Sequence, residues 1–185
     1  MRVVGGEARG QKLKGAVVPG VRPTTERVRA AIFNILQGGQ LQQQKVLDLY
    51  AGTGSLGIEA LSRGASWADF VERDRRQCQV IQSNLETTGF SASARVYCID
   101  VNRSLAALTG PYELVLLDPP YRMLDLDEVL GRIGAAPGLV AGDGKVVAGH
   151  SKHLTLLPRY GFLSCVSHRR YGDNVVDFYV RENSL

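Results

Sequence analysis

Asp118-Pro119-Pro120-Tyr121 follows directly on the apolar run Glu113-Leu114-Val115-Leu116-Leu117. Residues of these types at the end of a strand candidate can carry out one definite kind of chemistry. The two prolines fix their φ angles and donate no backbone hydrogen bond, so they form a rigid edge whose carbonyls can accept from a guest. A planar amine on a nucleic-acid base suits that edge. Its lone pair is delocalised into the ring, so to accept a methyl group it must be held in line with the donor bond with its hydrogens engaged. Asp118 and the Pro119 carbonyl supply two acceptors and Tyr121 can stack on the base, so that alignment and desolvation carry most of the acceleration. The Asp118 carboxylate can also take the departing proton. A lone Pro-Pro would read as a strand-ending turn. Asp before it and Tyr after it make Asp118, Pro119, Pro120 and Tyr121 the candidate catalytic residues.

A second constellation lies upstream in Asp48-Leu49-Tyr50-Ala51-Gly52-Thr53-Gly54-Ser55-Leu56-Gly57, a G-x-G-x-x-G between a strand candidate and a helix candidate. Glycines are needed there because the turn is tight and a ligand approaches the backbone. Glu72, at the end of the next strand candidate, can accept from ribose hydroxyls. These features fit a nicotinamide dinucleotide equally well. Two further carboxylates favour S-adenosylmethionine. Asp48 stands where it would attract a methionine ammonium and repel a pyrophosphate. Asp100 can accept from an adenine amino group, although capping of the following helix explains it too. The candidate cofactor residues are therefore Asp48, Ala51, Gly52, Thr53, Gly54, Glu72, Asp100 and Asp118.

The elements that must position these residues repeat one unit. Strands are expected at 45–50, 67–72, 94–98, 113–117 and 144–148, with helices near 55–63, 74–88, 102–108 and 124–133. Such alternation predicts βαβ units and a parallel sheet buried on both faces. Runs 162–168 and 174–180, separated by Arg169-Arg170-Tyr171-Gly172-Asp173, predict an antiparallel hairpin at the sheet edge. The expected fold is a Rossmann-like α/β methyltransferase with a mostly parallel seven-stranded sheet. Ahead of it, Thr25 caps an amphipathic helix with Val28, Ala31, Ile32, Ile35 and Leu36 on one face, ended by Gly38-Gly39. Residues 2–18, with four glycines, predict a short β arm outside the main core.

At 185 residues the chain fits one domain, with residues 1–22 as a basic arm and 23–185 as a catalytic core. The net charge of +4 is concentrated at the start, where residues 1–29 hold seven basic side chains against Glu7 and Glu26. A basic surface at one end suits phosphate contact, and a solvated arm is the plain alternative. No stretch approaches the ~18 apolar residues of a membrane helix, and Met1-Arg2-Val3-Val4-Gly5-Gly6 lacks the features of a secretory signal, so a cytoplasmic location is expected. Cys78, Cys98 and Cys165 form no C-x-x-C pair and read as buried apolar residues. His150, His153 and His168 lack a matching acid cluster, so no metal site is expected.

Taken together, Arg2-Val3-Val4-Gly5-Gly6, Arg9-Gly10-Gln11-Lys12-Leu13, Arg22-Pro23-Thr24-Thr25-Glu26-Arg27-Val28-Arg29, Phe33-Asn34, the stretch from Asp48 to Gly64 and Asp118-Pro119-Pro120-Tyr121 give a resemblance over essentially the whole chain. It resembles the bacterial small-subunit ribosomal RNA guanine-N2 methyltransferases, the D type that acts on guanine 966 of 16S rRNA. Arg-Pro-Thr-Thr is the most discriminating segment. The resemblance implies S-adenosylmethionine as cofactor and 16S rRNA, in the 30S subunit or an assembly intermediate, as partner. It makes Arg2, Arg9, Lys12, Lys14, Arg22, Thr24, Thr25 and Arg27 the candidate RNA-binding residues. One departure is Gly149, where such proteins commonly carry a glutamate. The competing readings are an adenine-N6 DNA methyltransferase, a non-catalytic RNA-binding assembly factor on the same fold, and a nicotinamide oxidoreductase.

Overall fold

The computed structural model describes residues 1–18, 24–36, 41–123 and 125–182. Arg22, Pro23, Gly38 and Gly39, named above, and position 124, the start of the helix expected at 124–133, lie outside the described residues. In chain order the elements are α1 (Glu26–Leu36), β1 (Lys45–Leu49), α2 (Ser55–Ser62), β2 (Trp67–Val71), α3 (Arg75–Thr88), β3 (Ala94–Tyr97), α4 (Val101–Ala107), β4 (Tyr112–Leu117), α5 (Leu126–Ala135), β5 (Val140–Ser151), β6 (Arg159–Tyr160), β7 (Leu163–Tyr171) and β8 (Asn174–Arg181).

The strands form one sheet in the order β3-β2-β1-β4-β5-β8-β7-β6. The first five are parallel and the last three are antiparallel. The eighth strand beyond the seven expected is the two-residue β6, too short for a periodic signal. Neighbouring residues of a strand point to opposite faces, so Val46, Leu114 and Leu116 pack with α1, α2 and α3. Leu47, Val115 and Leu117 pack with α4 and α5. Both faces are covered, which is why these strands are mainly apolar, with the buried Asp48 as an exception inside β1.

The expectations for β5, the hairpin and α1 need correction. β5 runs for 12 residues, because its start pairs with Tyr112 and its end with Asn174, and Gly142, Gly144 and Gly149 conceal that length in the sequence. In the hairpin, Arg169, Arg170 and Tyr171 belong to β7 and only Gly172-Asp173 turns, with Gly172 at φ 65°. Helix α1 buries Val28, Arg29, Ile32, Phe33 and Leu36, whereas Ile35 is exposed. A buried arginine cannot be found by apolar periodicity.

The N-terminal arm is hairpin-like, with Arg2 bridged to Lys12, but it is not an appendage. Val3, Ala8 and Leu13 are buried in the same apolar cluster as α1 and α2. Glu59 of α2, fully buried, accepts from Val4 N at 2.9 Å and Gly5 N at 2.8 Å, and pairs with Arg29 at 3.3 Å and Arg63 at 2.7 Å. Burial lowers the Arg29 pKa and the adjacent Glu59 opposes that shift. Arg29 is thus taken out of the basic surface counted from sequence. Of the cysteines, Cys78 is buried, Cys165 is half-buried and Cys98 is exposed. Among the described residues no helix is long and apolar enough to cross a membrane.

Candidate active site

Strand register assembles the site. Leu49 of β1 pairs with Leu117 of β4, so the glycine turn and Asp118 leave the sheet side by side, where the strand order reverses. Ligands of open α/β sheets bind at such a point. Leu117 in turn pairs with Ala148, which sets Gly149 beside Asp118. A Cβ at Gly149 would fall 2.9 Å from Asp118 Oδ1.

On the cofactor side, Gly52 and Gly54 adopt φ of 57° and 75°, values that favour glycine. A Cβ at Gly57 would lie 2.4 Å from the Phe70 ring, so this glycine lets α2 close on β2. Thr53 is buried and its carbonyl accepts from Asn84 Nδ2 at 2.9 Å, while Ala51 N donates to Val71 O at 3.0 Å. Glu72 accepts from Gly52 N at 3.0 Å and from Asp74 N at 2.9 Å. Asp100 is exposed and caps α4 through Asn102 N at 2.8 Å, so the capping reading is the one the contacts display.

Asp48 is 1% exposed; Oδ2 accepts from Gly57 N at 2.8 Å, and Oδ1 is buried with no partner among the described residues. Burial raises its pKa well above the ordinary value, the Gly57 bond opposes this, and the charges of Asp118 and Glu72 raise it further. Three carboxylates thus converge on the glycine turn. They would repel a pyrophosphate and attract a cation, and the unpartnered Oδ1 is an acceptor placed for an ammonium. The residues fit S-adenosylmethionine and disfavour a dinucleotide.

On the reacting side, Pro119 is buried, whereas Pro120 and Tyr121 are exposed. The Thr24 hydroxyl donates to Asp118 Oδ2. Burial raises the Asp118 pKa and the Thr24 bond opposes that rise. A recess opens beside the carboxylate, and its lining includes Thr24, Val28, Tyr121, Gly149, His150 and Asn174.

Several of these residues were not identified from sequence. Thr24, an RNA-contact candidate through the Arg-Pro-Thr-Thr resemblance, also touches the candidate catalytic carboxylate, a contact the motif does not reveal. The sequence offers the histidines no matching acid cluster, yet Asp177 of β8 stands 2.9 Å from His150 Nε2 and 2.5 Å from His168 Nδ1. The pairing of β5 and β7 with β8 creates that cluster, and no local pattern in the sequence marks it. Among the described residues no group of three or more His, Cys, Asp or Glu is arranged to hold a metal ion. The arm bridge places Arg2 and Lys12 side by side, and Arg2 N donates to Glu26 Oε1 at 2.6 Å, next to Arg27. Arg9, Lys12, Lys14, Thr25 and Arg27 are exposed, and Thr25 Oγ1 accepts from Val28 N at 3.3 Å as the cap of α1.

A βαβ sheet closed by antiparallel β8 and β7, with an acidic glycine turn beside a Pro-Pro edge, defines an S-adenosylmethionine-dependent methyltransferase. The chain belongs to the family described as conserved hypothetical protein 95, whose model matches residues 1–180. It is 38% identical over 183 residues, 97% of this chain and 98% of the other, to YlbH of Bacillus subtilis, named provisionally as an rRNA methyltransferase. It is 42% identical over 130 residues to the Escherichia coli ribosomal RNA small subunit methyltransferase D, spanning 70% of this chain and 65% of that one. The solved Escherichia coli structure described as yhhF, provisionally a methyltransferase, superposes with a TM-score of 0.83 at 32% identity and 98% coverage of both chains.

Proposed function

We propose that the protein methylates the exocyclic N2 amine of a guanine in 16S rRNA, of the position-966 type, in the cytoplasm. The observation that carries this reading is the Asp118 carboxylate, set between the cofactor turn and the recess and held by Thr24. An ionised carboxylate accepts from both the N1–H and an N2–H of guanine. The amine of adenine is flanked instead by an acceptor nitrogen, which a carboxylate repels. The name of the Escherichia coli relative supports ribosomal RNA of the small subunit as substrate.

Bound S-adenosylmethionine supplies an electrophilic methyl group on a sulfonium. Asp118 orients the amine and takes the proton it sheds, the Pro119 carbonyl accepts its second hydrogen, and Tyr121 stacks on the base. Asp48 and Glu72 hold the cationic and ribose ends of the cofactor, with Ala51, Gly52, Thr53 and Gly54 as the cradle and Asp100 at the adenine. The arm, residues 1–22, docks on rRNA phosphates in the 30S particle or an assembly intermediate. Residues 23–185 form the catalytic core.

The experiment is transfer of labelled methyl from S-adenosylmethionine to 30S particles and naked 16S rRNA from cells lacking the modification. Label on guanine N2, abolished by Asp118→Ala, is expected. Label on adenine, in RNA or duplex DNA, would overturn the assignment.

A further inference from the structure

Two thiols meet at the edge of the cofactor crevice. Cys78, in the first turn of α3, is 5% exposed, and Cys98 follows β3 and is exposed. Their Sγ atoms stand 2.8 Å apart. Cys78 Sγ also donates to the carbonyl of Glu72 at 3.3 Å, and Cys98 Sγ lies 4.0 Å from the carbonyl of Arg73. The pair therefore sits directly behind the backbone that carries Glu72, two residues from Asp100. A disulfide needs its sulfurs about 2.05 Å apart, so a closure on the order of 0.8 Å would join them. Cys165, on β7, has no thiol neighbour among the described residues.

We propose that Cys78 and Cys98 are a dithiol–disulfide pair, an oxidation site whose closure disturbs the nucleoside end of the crevice. The oxidant is a low-molecular-weight disulfide. The exposed Cys98 thiolate attacks one sulfur of oxidised glutathione, forming a mixed disulfide and releasing one glutathione thiolate. Cys78 then loses its proton to solvent and attacks the Cys98 sulfur, displacing the second glutathione thiolate. Both thiolates take up protons. Two protein thiols and one glutathione disulfide become one protein disulfide and two glutathione thiols, and the two electrons pass from protein to glutathione. The order of attack follows from access. It agrees with the Cys78 pKa, which burial and the neighbouring Cys98 push up to about 12 and which leaves Cys78 a poor first nucleophile. The contraction would draw the Glu72 carbonyl and the segment from Cys98 to Asp100 away from the geometry in which Glu72 holds Gly52.

The full chain is incubated with oxidised glutathione over a series of redox ratios, blocked with a thiol reagent and peptide-mapped without reduction. A Cys78–Cys98 linked peptide lighter by two hydrogens and reversed by dithiothreitol is expected, with Cys165 still blocked as a free thiol. Cys78→Ser should stop at glutathione on Cys98, and Cys98→Ser should leave Cys78 unmodified. A stable mixed disulfide on Cys98 of the unsubstituted chain, or a link to Cys165, would overturn the site. Oxidation should also weaken S-adenosylmethionine binding at least threefold, and Cys98→Ser should lose that response. A mapped cross-link with unchanged affinity would overturn the coupling, which rests on the cofactor crevice, and leave the proposed function untouched.

Discussion

The Thr24 hydroxyl donates to Asp118 Oδ2 across 94 positions of sequence. The residue just before the Thr25 cap of α1 thereby holds the carboxylate that ends β4. A hydrogen bond to a carboxylate favours its charged form, which is why this contact opposes the rise that burial imposes on Asp118. Thr24→Val should raise the Asp118 pKa further. If the ionised carboxylate orients the amine, the acidic limb of the kcat/KM profile moves to higher pH and the rate near neutrality drops about tenfold. A limb that stays in place would separate Thr24 from the chemistry.

Asp118→Asn keeps one acceptor and the shape but loses the charge and the proton sink. Methyl transfer should fall by roughly 10²–10⁴, with the thermal midpoint preserved or raised because a desolvated acid is removed. Single-turnover assays at saturating cofactor measure this.

Gly149 leaves Asp118 Oδ1 room that a side chain would take, since a Cβ would approach to 2.9 Å. Gly149→Ala should push the carboxylate off its Thr24 contact and cut kcat about tenfold, with little loss of stability. An active alanine variant would mean that Asp118 can shift without cost.

Asp48 sets binding against stability. Its folded pKa is raised by burial, so in the ligand-free protein its contribution to stability is complete below the unfolded carboxyl pKa. That contribution is lost as pH rises through the folded value. Asp48→Asn should therefore stabilise the ligand-free chain at neutral pH and weaken S-adenosylmethionine binding at least tenfold. Melting curves and titration calorimetry from pH 4 to 8 report both. A variant that loses stability and affinity together would mean that the acid is structural.

The arm divides into a clamp and a surface. Glu59→Ala would strand the buried Arg29 and release two arm amides, costing ~3–5 kcal/mol in urea unfolding. Reversing the charge of Arg9, Lys12 and Lys14, which are exposed, should weaken rRNA binding and flatten its salt dependence while leaving cofactor affinity unchanged. Equal loss of both affinities would make these side chains structural.

What could be read along the chain followed from local physics. The βαβ alternation, the glycine turn and Asp118-Pro119-Pro120-Tyr121 are contiguous patterns whose periods and backbone restrictions need no partner to be recognised. Tertiary structure decided which distant residues those motifs meet. Parallel register put Asp118 between Tyr50 and Gly149, and folding turned Arg29 inward to Glu59. Thr24 met Asp118, Asp177 came between two histidines, and Cys78 came to Cys98. These contacts join residues distant along the chain or, for His168 and Asp177, facing each other across the β7–β8 hairpin, and hydrophobic periodicity carries no information about them. Where the polar group is buried, as Arg29, Glu59 and Asp177 are, it must find a partner once it is removed from water, and only the packed sheet determines which one is within reach.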